Sequence, residues 1–152
     1  MASRKAQKTP KTASNLVQNA QPAKQAKSRL PAQIANKPLC WRFSSADKNG
    51  DWAWSNLSDP QAYMEVQQRL HEFESMHWVA IMGTGSHPIE TQKLIKPAQD
   101  RLQELELDDV EGLMSFRITG AGRVFCIQDE NIMHVLWYDP LHQICPAPKK
   151  HT

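Results

Sequence analysis

Five residues near the end of this 152-residue chain have the most to offer chemically: Arg117, Arg123, His134, Tyr138 and His142. Guanidinium groups are planar forks of donors that suit phosphate or carboxylate, and imidazole exchanges a proton near neutral pH. The sequence has no P-loop, no dinucleotide-binding glycine fingerprint, no G-x-S-x-G elbow and no H-E-x-x-H, so several common enzyme classes drop out. His71 and His77 lie six apart, and His134 and His142 eight apart, neither of which is a zinc-clip spacing. Cys40, Cys126 and Cys145 include no C-x-x-C pair, so small buried thiols and a reducing, cytoplasmic setting are expected, without metal or cofactor.

The element that must position these groups is residues 113–146, where β-branched and aromatic residues alternate with turn-formers. Three antiparallel strands are expected, joined at Gly120-Ala121-Gly122 and at Glu130-Asn131. With a three-residue first loop, one glycine taking positive φ, Arg117 opposes Phe125 and shares a face with Arg123. A two-residue second loop then carries an apolar face through Phe116, Ile118, Val124, Cys126, Met133, Val135 and Trp137. His134, Leu136 and Tyr138 fall on the arginine side, and a one-residue slip would mix the two sets.

Before the meander, Leu39, Cys40, Trp41, Arg42 and Phe43 can add an edge strand, and Lys48-Asn49-Gly50-Asp51 reads as a turn. Trp52 and Trp54 would share one face of an extended piece, either capping a small core or offering a stacking platform. Asp59-Pro60 opens an amphipathic helix with Tyr63, Val66, Leu70 and Phe73 on its inner side, running to about Ser75. A short helical turn over 76–82 follows, ended by Gly83-Thr84-Gly85-Ser86. A second long helix is expected from Ile89, carrying Leu94, Ile95, Ala98, Leu102 and Leu105; Pro97 either sits in its first turn at Lys96 or bends it. Asp108, Asp109 and Glu111 read as a solvated linker. The fold class is α+β, with helices packed on one face of a small antiparallel sheet.

Residues 1–37 carry eight Lys and Arg and no Asp or Glu, with few large apolar side chains, so a disordered basic tail preceding one domain over 38–152 is expected. Subtracting 8 from 18 leaves 10 basic against 16 acidic residues in that domain, so its surface is mildly acidic despite a net charge of +2. No apolar run suits a leader or a membrane span.

The Phe116-Arg117-Ile118 and Gly122-Arg123-Val124-Phe125 pair, followed by an apolar strand ending Leu136-Trp137-Tyr138-Asp139-Pro140 and then His142, resembles the RelE/ParE toxin superfamily, most sharply over 113–146. The resemblance implies a RelE-like α+β fold and, for the RelE branch, endoribonucleolytic cleavage of mRNA, commonly on the ribosome, under control of an antitoxin protein. The ParE branch poisons gyrase. In an RNase of this kind Arg117 and Arg123 would stabilise the phosphorane, His142 would transfer a proton, His134 and Tyr138 would assist, and Lys149, Lys150 and His151 would grip the RNA backbone. Against that stand plain structural roles: ion pairs of the arginines with Glu111, Asp129 or Asp139, a half-buried His134, and His142 closing the turn after Asp139-Pro140. A binding module of the same fold without catalysis is the other function these residues allow.

Overall fold

A computed structural model describes residues 36–146. Residues 1–35 of the basic tail, and Lys149, Lys150 and His151, lie outside the described residues. In chain order the elements are β1 (Cys40–Arg42), α1 (Pro60–Glu74), α2 (Trp78–Gly83), β2 (His87–Glu90), α3 (Lys96–Glu104), β3 (Gly112–Arg117), β4 (Arg123–Asp129) and β5 (Ile132–Asp139). The strands form one sheet in the order β1-β5-β4-β3-β2, with β1 parallel to β5 and every other pair antiparallel. The chain is therefore α+β, with a mixed rather than purely antiparallel sheet.

Local chemistry sets the helix ends. Asp59 accepts a hydrogen bond from the Ala62 N–H at 2.9 Å and Pro60 supplies the first helical φ, so α1 starts where its capping sequence stands. Of its expected inner residues, Val66, Leu70 and Phe73 are buried, whereas Tyr63 is 47% exposed. α3 starts at Lys96 with Pro97 in the first turn, so the proline costs no hydrogen bond. Of the stretch expected to open this helix, Ile89 and Glu90 belong instead to β2, which pairs with β3 from His87↔Ser115 to Glu90↔Gly112, and Thr91–Lys93 form a 3-10 turn.

The sheet is covered on both sides, which corrects the expected placement of helices on one face. Val66, Leu70 and Phe73 of α1 and Ile81 of α2 pack with Met114, Phe116, Val124, Cys126, Met133 and Val135. On the other side Ala98 and Leu102 of α3, with Trp52 and Ile144, pack with Ile89, Leu113, Phe125, Leu136 and Trp137. Both faces of the central strands are apolar, and each needs its own cover to leave water. Trp52 and Trp54 go to opposite cores rather than sharing a face. An interlayer ion pair ties the second cover down: the buried Asp47 carboxylate accepts from Arg101 Nε and Nη2 at 2.9 and 2.7 Å and from Trp137 Nε1 at 3.0 Å.

Two register details decide where the chemical groups point. Arg117 pairs with Arg123, not with Phe125, so the connection is five residues long rather than three. The difference is an even shift, which leaves both arginines on one face. The positive-φ glycines among the described residues are Gly50 and Gly85, so neither Gly120 nor Gly122 takes that conformation; Gly122 instead makes room for Thr119 Oγ1, which would lie 2.8 Å from an added Cβ. Between β4 and β5 the pairing runs as expected from Asp129↔Ile132 to Cys126↔Val135, then slips, so that Phe125 pairs with Trp137 and Val124 with Tyr138. This bulge puts Leu136 and Trp137 into the same core and turns Tyr138 toward α1, reversing the sides expected for Trp137 and Tyr138.

Candidate functional site

The end of the sheet where β3 turns into β4 gathers most of the unusual polar groups. Arg117 closes β3 and is exposed; Arg123 opens β4 opposite it and is 8% exposed. Arg117 Nε and Arg123 Nη1 both donate to the Thr119 carbonyl, each at 3.3 Å, so the two guanidinium groups stand side by side. Arg123 Nη1 also reaches the Gly120 and Gly122 carbonyls at 3.2 and 3.0 Å. Three carbonyl dipoles thus offset the like charges. Neither guanidinium lies within ion-pair distance of a carboxylate among the described residues, so of the two roles open to the arginines the ion pair with Glu111, Asp129 or Asp139 is not the one formed.

The strand end holding Arg117 is fixed from both sides. Its N–H donates to Ser86 Oγ at 2.9 Å, Ser86 shares a hydrogen bond with Thr84 Oγ1, and its carbonyl accepts from Arg69 Nε at 3.3 Å. Gly85, at φ +91°, lets the side chain lie against the loop, since an added Cβ would stand 3.2 Å from Arg117 Cδ and Nη1.

Asp139 pairs with Arg123 across β4 and β5 and is fully buried. Its two oxygens accept from the backbone N–H groups of Gln143 and Ile144 at 3.0 and 2.8 Å, closing a turn in which His142 adopts φ +56°. A left-handed histidine costs about 1–2 kcal/mol, which the carboxylate cap and the burial of Ile144 offset. His142 is half-buried, and burial, followed by the positive charge of Arg123, holds its pKa below the ordinary 6.5; Asp139 opposes this, while His87 and Arg117 add to it. Burial also lowers the pKa of Arg123, with Arg117 adding to the effect and Asp139 opposing it. Arg117, Arg123 and the turn carrying His142 therefore belong to one corner of the sheet, since Arg123 pairs with Arg117 on one side and with Asp139 on the other.

Two of the expected site residues are elsewhere. His134 pairs with Ile127 near the opposite end of β5, about 16 Å along the strand from Asp139 at the usual rise per residue. It is partly buried, with Nε2 4.0 Å from Asp129. Tyr138 packs against the α1 core, where burial raises its phenol pKa and Glu65 adds to the shift. The assembled set is Arg117, Arg123 and His142, joined by His87, which spacing alone does not single out. Its signal is the short extended piece Ser86-His87-Pro88-Ile89, in which Ile89 is buried and His87 takes the same side of the strand.

An oxyanion would find two adjacent guanidinium groups at this corner and one ring biased toward its neutral, proton-accepting form. Cys126 is no rival nucleophile, being fully buried with its pKa raised well above the ordinary thiol value by desolvation. No helix among the described residues is long and apolar enough to cross a membrane. No family model, curated protein or solved structure matches the chain.

Proposed function

We propose that the chain is a RelE-like toxin that acts as a metal-independent endoribonuclease on mRNA in the cytoplasm, on the ribosome or free, and is held in check by an antitoxin protein. The single observation that carries this reading is the pairing of Arg117 and Arg123 on one carbonyl, with no carboxylate partner among the described residues, next to the turn in which His142 follows Asp139, the cross-strand partner of Arg123. Cleavage needs a group that takes the 2′-hydroxyl proton and cations that stabilise the dianionic phosphorane. Neutral His142 supplies the first, and the two guanidinium groups supply the second. The basic residues 1–37 and Lys149, Lys150 and His151 add affinity for the RNA backbone that is independent of sequence.

Induced expression in a bacterial host tests the toxin claim. The wild type is expected to arrest growth, and the Arg117→Ala, His142→Ala double variant is expected to relieve the arrest at equal protein level. Equal growth with both would overturn it. One observation favours the second reading, a binding module of the same fold that blocks its target without catalysis. Arg123 Nη1 is already committed to three turn carbonyls, as a purely structural arginine would be. On that reading growth arrest persists in the His142→Ala variant.

A further inference from the structure

Scission of a phosphodiester by its 2′-hydroxyl has two proton transfers, one at the attacking oxygen and one at the departing oxygen. The corner holds two imidazoles. His87 lies in β2 opposite Ser115, two residues before Arg117 on β3, and shares the sheet face of Ser115, Arg117 and Arg123. Ile89 and Leu113 continue that face inward to the α3 core, so His87 stands where the covered face ends. Its ring is exposed, and the turn carrying His142 follows Asp139, which pairs with Arg123 on the same end of the sheet. His87 Nδ1 lies 3.1 Å from the Pro88 carbonyl. A carbonyl only accepts, so Nδ1 carries the hydrogen and Nε2 is the ring position left to meet a substrate atom.

Resting on the ribonuclease reading above, we infer that His87 is the general acid of this corner and protonates the departing 5′-oxygen while His142 removes the 2′-hydroxyl proton. The 2′-oxygen forms a bond to phosphorus, the bond from phosphorus to the 5′-oxygen breaks, and the two arginines hold the non-bridging oxygens. One proton passes to His142 and one leaves His87, so the products are a 2′,3′-cyclic phosphate and a 5′-hydroxyl. The roles divide this way round because His142 sits half-buried in the turn capped by Asp139, the cross-strand partner of Arg123, whereas His87 faces water at the sheet's edge.

The test is a leaving-group substitution. The cut site is first mapped on ordinary RNA, both free and in a programmed ribosome, and an RNA is then made with sulfur replacing the 5′-bridging oxygen at that site. A thiolate departs without a proton. His87→Ala is expected to slow cleavage of the all-oxygen RNA by about 10²-fold or more and to cleave the sulfur-bridged RNA within about threefold of the wild type. His142→Ala is expected to be slow on both. Near-UV circular dichroism checks that the His87 variant keeps its fold. An equal deficit on both substrates, or no deficit on ordinary RNA, would overturn the assignment of His87 and leave the ribonuclease reading standing. A wild type inert on both RNAs would overturn that reading, and the assignment with it.

Discussion

Arg117 and Arg123 donate to the same oxygen, the Thr119 carbonyl, each at 3.3 Å. The sharing is unequal. Arg123 also reaches two further carbonyls from a buried position, whereas Arg117 is exposed and its side chain makes one hydrogen bond among the described residues. Arg123→Ala is therefore expected to cost about 1–3 kcal/mol through unsatisfied turn carbonyls, and Arg117→Ala less than about 0.5 kcal/mol, by urea denaturation. If the two guanidinium groups hold the RNA phosphate as proposed, RNA binding should fall about tenfold or more in both, an effect of ~1.4 kcal/mol. Equal stability losses would mean that the carbonyl clamp is not what holds the turn.

Gly85 is where the loop and Arg117 come closest. Gly85→Ala places a Cβ at φ +91° within 3.2 Å of Arg117 Cδ and Nη1. The expected cost is about 1–2 kcal/mol of backbone strain, together with displacement of the guanidinium. RNA cleavage should fall much further than thermal stability in this variant, with Gly83→Ala as the control, since nothing lies within 4 Å of a Cβ there. Parallel losses in the two variants would remove Gly85 as a support for the site.

The depressed pKa of His142 fixes the direction of the pH response. Burial and Arg123 disfavour the imidazolium, so the acid limb of kcat/KM should have its midpoint below 6.5. Removing the neighbouring cation in Arg123→Gln should move that limb upward, although not fully, because burial is the larger cause. The unfolded chain, with its ordinary histidine, binds more protons in this range. The His142 contribution to stability is thus present above 6.5 and is lost as the pH falls through the lower folded value. A limb that stays fixed in Arg123→Gln would show that the two groups do not interact.

Asp47 and Arg101 tie α3 to the loop ahead of α1. Burial raises the Asp47 pKa, but hydrogen bonds from Arg101, the Asn49 N–H and Trp137 outweigh it, and the net direction is downward from 3.8. Stability from this group is present above 3.8 and is lost as the pH falls toward the lower folded value. Arg101→Met should cost about 3 kcal/mol, since it leaves a buried carboxylate without its cation. Adding Asp47→Asn should recover part of that loss, as the uncompensated charge disappears. Calorimetric melting at pH 7 and pH 3 separates the outcomes.

Much of the architecture was legible in the residues themselves. Asp59-Pro60 marks the start of α1, and Pro97 marks that of α3, because caps act within a single turn. The shared face of Arg117 and Arg123 is the same for a three- or a five-residue loop because side chains alternate with period two. The bulge at Leu136 left no local mark and inverted Trp137 and Tyr138. The second covering layer was signalled by runs such as Val124-Phe125-Cys126-Ile127, which are apolar on both faces, but reading them needs the position of α3 as well. His87 was hidden because β2 is four residues long, contains Pro88 and becomes a strand only by pairing with β3.

The most direct measurement is the chemistry of the ends left when the purified full-length protein meets RNA, free and in programmed ribosomes, without added metal. Wild type should leave 2′,3′-cyclic phosphate and 5′-hydroxyl ends, and His142→Ala should leave the RNA whole. Intact RNA under both conditions, or 5′-phosphate ends, would contradict a site built from two guanidinium groups and an imidazole.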